Sequence, residues 1–110
     1  MYRDRRALIQ GRIWVLFHIE QVHRPENCPY GHGGSRSLHD ATVPGVQLVA
    51  MYGSFMEHVI YLIVEASDVE SLNLFLLPGM KVCTAKITPV SERPLPLPQA
   101  AQVEGAQATT

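Results

Sequence analysis

The sequence predicts a small α+β domain of the ferredoxin-like class, with the element order β-α-β-β-α-β and an antiparallel sheet. Four short apolar segments have the character of strands, and a segment with helical spacing precedes the last of them. The 110-residue chain is long enough to bury one core. Hydrophobic residues make up 46% and charged residues 17%, which excludes a wholly disordered chain.

The first predicted strand covers residues 12–21, where β-branched and aromatic residues form a short run that is apolar on both faces. Pro25 and Pro29 end this strand, because proline restricts the residue before it and has no N–H to donate. A glycine-rich loop follows. A short first helix is expected over residues 35–43, with Ser35 as its N-cap and a Pro-Gly pair after its end.

Two further strands, at residues 46–52 and 59–65, are close enough in sequence to form an antiparallel hairpin. After them, Ser67 and Glu70 match a capping box, in which the hydroxyl and the carboxylate each accept a hydrogen bond from the other residue's N–H. Helical spacing of apolar residues then predicts the second helix, which Pro78-Gly79 ends. Residues 81–88 form the fourth predicted strand.

The predicted order of elements determines which strands are neighbours. Right-handed crossovers place strand 1 beside strand 3, with strands 2 and 4 at the edges. Both helices then cover the same face of the sheet, and the other face is too apolar to meet water. We therefore expect a homodimer that packs sheet against sheet, as a dimeric α+β barrel.

The two ends of the chain differ in composition from the centre. Residues 1–10 are predicted to be a flexible leader, residues 11–90 the ferredoxin-like domain, and residues 91–110 a Pro-rich and disordered tail. Prolines at every second position from Pro94 to Pro98 favour polyproline II. The tail is interpreted as a spacer, and a ligand for a proline-reading module is the alternative.

Charge and composition exclude several classes of partner. The formal net charge is −1, and basic residues cluster only at Arg3, Arg5 and Arg6. This pattern does not fit a nucleic-acid-binding protein. The two cysteines are too few for a disulfide scaffold. We recognise no secretory signal and no apolar stretch near the ~20 residues of a membrane span, so a cytoplasmic protein without a membrane partner is expected.

One end of the predicted sheet collects residues with metal-binding and nucleophilic side chains. The end of strand 1 lies beside the starts of strands 3 and 4, which gathers His23, Cys28, His58 and Cys83. Imidazole and thiolate are preferred ligands of Zn²⁺. We interpret His23, Cys28 and His58 as candidate metal ligands that leave a fourth position open, and also as candidate catalytic residues. Cys28 could instead be a thiol nucleophile activated by a histidine or a plain loop residue.

Other polar and apolar residues are weaker candidates. Carboxylates at strand ends could act as acids or bases, or could simply be solvated. A histidine within a strand is more typical of a core or interface residue. Cys83 is interpreted as a core residue. His32 and His39 are expected near the site. The remaining candidates are Glu20, Glu57 and Glu65 as acids or bases, His18 at a core or interface, Tyr52 and Tyr61 in a cavity or the core, and Met51, Phe55 and Met56 as an apolar pocket wall.

Residues 23–29, with the sequence HRPENCP, resemble the H-x-P-E-x-C-P element of short bacterial proteins of the dimeric α+β barrel superfamily. Short matches at Gly45-Val46, 64–66, 75–78 and 88–90 extend the resemblance over about residues 12–90. The superfamily includes cofactor-free monooxygenases, muconolactone isomerase-like enzymes and haem-handling proteins. The resemblance therefore implies the fold and the dimer more than any one activity.

Three functions follow as hypotheses. The first is a homodimeric barrel that binds a small molecule in a pocket lined by His23, Cys28 and His58, and its enzymatic form would be an oxidoreductase or an isomerase. The second is a non-catalytic structural or regulatory module that recruits a partner through its Pro-rich tail. The third is a metal-binding protein without catalysis, with a divalent ion such as Zn²⁺ as the cofactor.

Overall fold

A four-stranded antiparallel sheet is the main feature of the computed structural model, which describes residues 14–95. The strands lie in the order β2-β3-β1-β4, so β1 has β3 and β4 as neighbours, as the crossover rule predicts. Within the described residues a single α-helix, α1 (Val69–Leu76), packs on one face. The strands are β1 (Val15–His23), β2 (Val46–Ser54), β3 (Val59–Ala66) and β4 (Cys83–Val90).

The predicted ferredoxin-like class is wrong, because the connection from β1 to β2 contains no α-helix. Residues 24–45 instead form a loop with two 3₁₀ turns, at Pro25–Asn27 and Gly34–Leu38. The second turn ends at His39, whose backbone is extended (φ −151°, ψ 164°) and so cannot continue a helix. The helix predicted over residues 35–43 is therefore a five-residue turn. The observed order is β-β-β-α-β, which also removes the basis for the dimeric α+β barrel class.

Leu38 fills the part of the core that the missing helix would cover. Its side chain is 2% exposed, and its carbonyl accepts a 3.0 Å hydrogen bond from Nε2 of the buried Gln21. The next residue, His39, stacks on Phe75 at a ring distance of 5.0 Å. Asp40 N–H then donates to the Phe75 carbonyl over 2.8 Å. These contacts hold the loop against β1 and α1, although the loop itself contains only 3₁₀ turns.

Strand alternation places the core on the helix side of the sheet. In the β1–β3 ladder, Ile19 pairs with Leu62, and both side chains are fully buried. Leu72 and Phe75 of α1 cover them. A bulge at Val49 interrupts the β2–β3 register, which leaves Val49 exposed at the sheet edge.

The cap of α1 lies one residue later than the capping box predicts. Asp68 is the N-cap, and its carboxylate accepts a 2.7 Å hydrogen bond from the N–H of Ser71. Ser67 instead donates its N–H to the Gly45 carbonyl over 3.1 Å, so its backbone still belongs to the hairpin edge. The predicted end of the helix is confirmed, since Leu77–Gly79 continues only as a 3₁₀ turn.

The sheet face opposite α1 is a mixture of apolar and charged residues. Leu16, Tyr61 and Ile63 are half-buried there, beside Glu20 and the edge-strand Lys86. This is the face through which the predicted homodimer would pack, and the homodimer stays a prediction. None of the helical segments in residues 14–95 has the length and apolar character needed to cross a membrane.

The predicted leader and most of the predicted tail lie outside the described residues. The described part of the tail, residues 91–95, is exposed and contains bends only. In this part Ser91 Oγ donates to the carbonyl of Arg93 over 2.8 Å, which makes a local turn at the point where the chain leaves β4.

Truncation of the buried face of α1 should destabilise the domain far more than truncation of its exposed face. Leu72 is 1% exposed and Leu74 is 55% exposed. We expect Leu72→Ala to lower the free energy of unfolding by about 2–5 kcal/mol, and Leu74→Ala to change it by about 0.5 kcal/mol or less. Urea unfolding followed by circular dichroism measures both, and equal losses would contradict the position of α1.

His39 should make the stability of the fold depend on pH. Burial, followed by the Arg36 guanidinium, lowers the pKa of His39, although Asp40 opposes the shift. The unfolded chain, with a His pKa of about 6.5, then binds more protons than the folded chain just below that pH. The stabilisation from neutral His39 is complete above about pH 6.5 and is lost as the pH falls through the folded pKa.

The non-titrating variant His39→Gln isolates this contribution. The stability difference between the wild type and the variant should shrink as the pH falls below about 6.5. Urea midpoints measured across this range test it. A difference that stays constant with pH would show that His39 does not titrate differently in the folded and unfolded chains.

Candidate metal centre

His23 ends β1 on the helix side of the sheet. Strand alternation places it on the same face as Ile19 and Gln21. Its backbone N–H donates to the carbonyl of His58 over 3.1 Å, the last bond between these two chain segments. The residue is 8% exposed, so its imidazole is held at the rim of the core.

His58 closes the turn between β2 and β3. The turn comprises residues 55–58, and the N–H of His58 donates to the Phe55 carbonyl over 3.2 Å. His58 has φ 59°, a left-handed conformation that histidine adopts more readily than β-branched residues. This backbone brings the imidazole against His23, with a ring distance of 5.0 Å and an interplanar angle of 80°.

Cys28 reaches the two histidines from the loop after β1. Pro25 begins the 3₁₀ turn Pro25–Asn27, and the N–H of Cys28 donates to the Pro25 carbonyl over 3.2 Å. The turn reverses the chain and returns Cys28 towards β1. The structure thus brings together the three residues interpreted as candidate ligands: one ligand atom from each of His23, Cys28 and His58 lies within 4.8 Å of the other two.

The spacing of these atoms is close to that around a tetrahedral metal ion. His58 Nδ1 and His23 Nε2 are 3.2 Å apart. Two imidazole nitrogens on one Zn²⁺ are about 3.3 Å apart, and a nitrogen and a thiolate sulfur about 3.6 Å, from the usual bond lengths. The histidine nitrogens therefore already have the required separation. The Cys28 sulfur would need to move only a short distance towards them.

The surroundings of His23 favour its neutral imidazole. Burial, and then the neighbouring His58, lower the pKa of His23. The buried Nδ1 of His23 has no hydrogen-bond partner within residues 14–95, so a second proton on the ring would be poorly compensated. Neutral imidazole is the form that binds transition metals.

A cleft of about 170 Å³ opens beside the three residues. Its mouth carries the rings of Tyr30 and Phe55, which meet edge to face at 5.6 Å. Charged residues of the Asp, Glu, Lys and Arg types are absent from the part of its wall that the structure describes. The lining comprises His23, Cys28, Pro29, Tyr30, Gly34, Ser35, Gly53, Ser54, Phe55, His58, Val59 and Ile60.

Cys83 and the other histidines do not join the cluster. Cys83 pairs with His23 in the β1–β4 register, but its thiol donates to the Gly79 carbonyl at 3.4 Å. Burial raises the pKa of the Cys83 thiol, which makes it a poor thiolate donor. His32 lies exposed in the loop, and His39 stacks on Phe75. The prediction that His39 lies near the site gains no support from these contacts, whereas His32 lines a second hollow together with Cys28.

The candidate acids lie elsewhere. Glu20 is on the sheet face opposite the cleft, where it pairs with Tyr61 and Lys86. Glu57 is exposed and accepts a 3.1 Å hydrogen bond from the Ser54 hydroxyl. Glu65 is fully buried near the other end of β3. None of these three carboxylates lines the cleft.

Of the three residues predicted to form an apolar pocket wall, Met51, Phe55 and Met56, only Phe55 lines the cleft. Met51 packs against the core, and Met56 is 83% exposed at the tip of the hairpin. Tyr52 and Tyr61 pair with each other on the opposite face, and Tyr61 also lies 6.0 Å from the His18 ring. Tyr52 and Tyr61 therefore do not line this cleft.

Sequence reasoning missed Tyr30 and Gly53 as parts of the cleft. Gly53 pairs with Ile60 across the hairpin, and the missing side chain leaves room beside His58. The four-residue turn before Val59 could have indicated this pair, since it fixes the register of the hairpin. The position of Tyr30 depends on the fold of the loop, for which the sequence has no periodic signal.

Comparison with known proteins provides no assignment. No model of a protein family matches the chain, and neither the curated proteins nor the solved structures contain a match. The resemblance of residues 23–29 to the H-x-P-E-x-C-P element therefore stays an interpretation of the sequence.

Substitutions at His58 should separate the effect of its backbone conformation on stability from the effect of its side chain. His58→Gly and His58→Val both remove the imidazole, but only Gly adopts φ near +60° without strain. We expect the Val variant to be less stable than the Gly variant by about 1–2 kcal/mol. Urea unfolding in the presence of a chelator measures this difference, and equal stability would contradict the left-handed turn.

Proposed function

We propose that this protein binds a divalent transition-metal ion, of which Zn²⁺ is the best fit, through His23, Cys28 and His58. The observation that carries the proposal is the convergence of two imidazole nitrogens and one thiol sulfur within 4.8 Å. A thiolate with two imidazoles is a borderline-soft donor set that suits Zn²⁺. The ion would polarise a molecule bound beside it.

The surroundings of the cluster support an open coordination position. Three protein ligands with a vacant fourth position are typical of catalytic rather than structural zinc sites. The cleft beside the cluster, about 170 Å³ in volume, gives a small molecule access to that position. The proposal therefore joins the metal-binding hypothesis with the hypothesis of a small-molecule site.

The metal hypothesis accounts for more of the geometry than its alternatives. A thiol nucleophile requires one histidine as a base, whereas here two histidines converge with the thiol, and their nitrogens are 3.2 Å apart. The interaction-module hypothesis depends on the Pro-rich tail, which lies mostly outside the described residues. It does not account for the cluster at the end of β1.

Metal titration tests the proposal directly. Purified protein, freed of metal with a chelator, should bind one Co²⁺ per chain and show the thiolate-to-cobalt absorption band. Zn²⁺ should displace the Co²⁺, in line with the Irving–Williams order. Cys28→Ser should lose the band, and His23→Ala should lower the metal affinity at least about ten-fold.

Matched variants control for nonspecific effects. Cys83→Ser and His32→Ala remove the same residue types outside the cluster, so both should keep the stoichiometry and the band. A band that survives Cys28→Ser but disappears with Cys83→Ser would overturn the proposed ligand set. A wild-type chain that binds no Co²⁺ or Zn²⁺ would overturn the metal proposal itself.

A further inference from the structure

The cleft beside the metal ligands has a specific charge and shape, from which a ligand class follows. We infer that it binds a small aromatic monoanion, with the anionic group on the metal ion and the ring packed against Tyr30 and Phe55. The inference rests on the proposed metal function. It adds the chemical class of the ligand to that function.

Charge balance favours an anion. A divalent ion with one thiolate and two neutral imidazoles keeps a formal charge of about +1. Asp and Glu are absent from the described lining of the cleft, so the protein offers no carboxylate there to neutralise this charge. A charge held at the rim of the core is costly unless it is paired. One negative charge on the ligand pairs it.

The walls of the cleft favour an apolar, flat body. Pro29 and Ile60 form apolar wall, and the mouth is framed by two aromatic rings. Tyr30 is 73% exposed and Phe55 is 63% exposed, so both keep free ring surface while they touch each other at 5.6 Å. A third ring can pack edge to face or offset against this pair.

The size of the cleft limits the ligand to a small one. Pockets for drug-sized ligands have volumes of about 300–1,000 Å³, and this cleft has about 170 Å³. Part of that volume exists because position 53 is glycine. The nearest neighbour of a Cβ placed at Gly53 is the Val59 carbonyl oxygen at 3.8 Å, an ordinary contact, so a side chain there would enter the cleft without a clash.

Titration of the Co²⁺-loaded protein with three probes tests the inference. Benzoate carries both the charge and the ring, acetate carries only the charge, and benzamide carries only the ring. We expect benzoate to change the cobalt spectrum with a Kd about ten-fold lower than that of acetate, because the ring is buried. Benzamide should not compete with benzoate at concentrations where acetate does.

Two pairs of variants locate the binding. Phe55→Ala should weaken benzoate about ten-fold and leave acetate unchanged, while Met56→Ala in the same turn should change neither. Gly53→Val should abolish benzoate binding with one Co²⁺ still bound, since valine suits a strand and fills the cleft. Ala50→Val adds similar volume to the opposite face of β2 and should bind benzoate as the wild type does.

The outcomes separate this inference from the metal proposal. A protein that binds no Co²⁺ refutes the metal site, and the ligand class fails with it. A protein that binds Co²⁺ but holds benzoate no more tightly than acetate, or loses no benzoate affinity with Gly53→Val, keeps its metal site and refutes the aromatic monoanion.

Discussion

The backbone pairing of β1 with β3 is the constraint on which the rest of the structure depends. The ladder runs in unbroken register from Val15↔Ala66 to Val22↔Val59, and the bond from His23 N–H to the His58 carbonyl follows it. This pairing sets the core face and also the distance between the two histidines. A slip of one residue in β1 would move His23 to the opposite face and expose Ile19. The same interaction therefore stabilises the fold and assembles the candidate site.

Much of the sheet could be predicted from the sequence, because strands with a buried face have a strong periodic signal. The apolar runs around Phe17 and Leu62 predict central strands, and the crossover rule then predicts their neighbours. The first helix could not be predicted correctly from Ser35 as an N-cap alone. Instead, Leu38 fills this part of the core from a loop, which is held by the contacts of Leu38 with Gln21 and of His39 with Phe75. A local sequence signal does not show these tertiary contacts.

The candidate site was predictable in its members but not in its detail. Topology alone places His23, Cys28 and His58 at one end of the sheet, since each lies at or next to the end of a strand. The same argument includes Cys83, which lies beside His23 in register. Its thiol finds a backbone acceptor in the Gly79 carbonyl instead. Strand order predicts which residues are neighbours, whereas side-chain direction and local hydrogen bonds decide which of them converge.

The three proposed ligands differ in how firmly the fold holds them. Backbone pairing and the left-handed turn fix the imidazoles of His23 and His58, so their separation of 3.2 Å is set without a bound ion. Cys28 lies on a short loop, five residues after the end of β1, and Pro25 restricts that loop further. Closing so short a loop on an ion costs little entropy. If the proposed ion binds, its size would be accommodated by the thiolate, whereas the histidine pair would hold a fixed separation and all three donors together would select the ion.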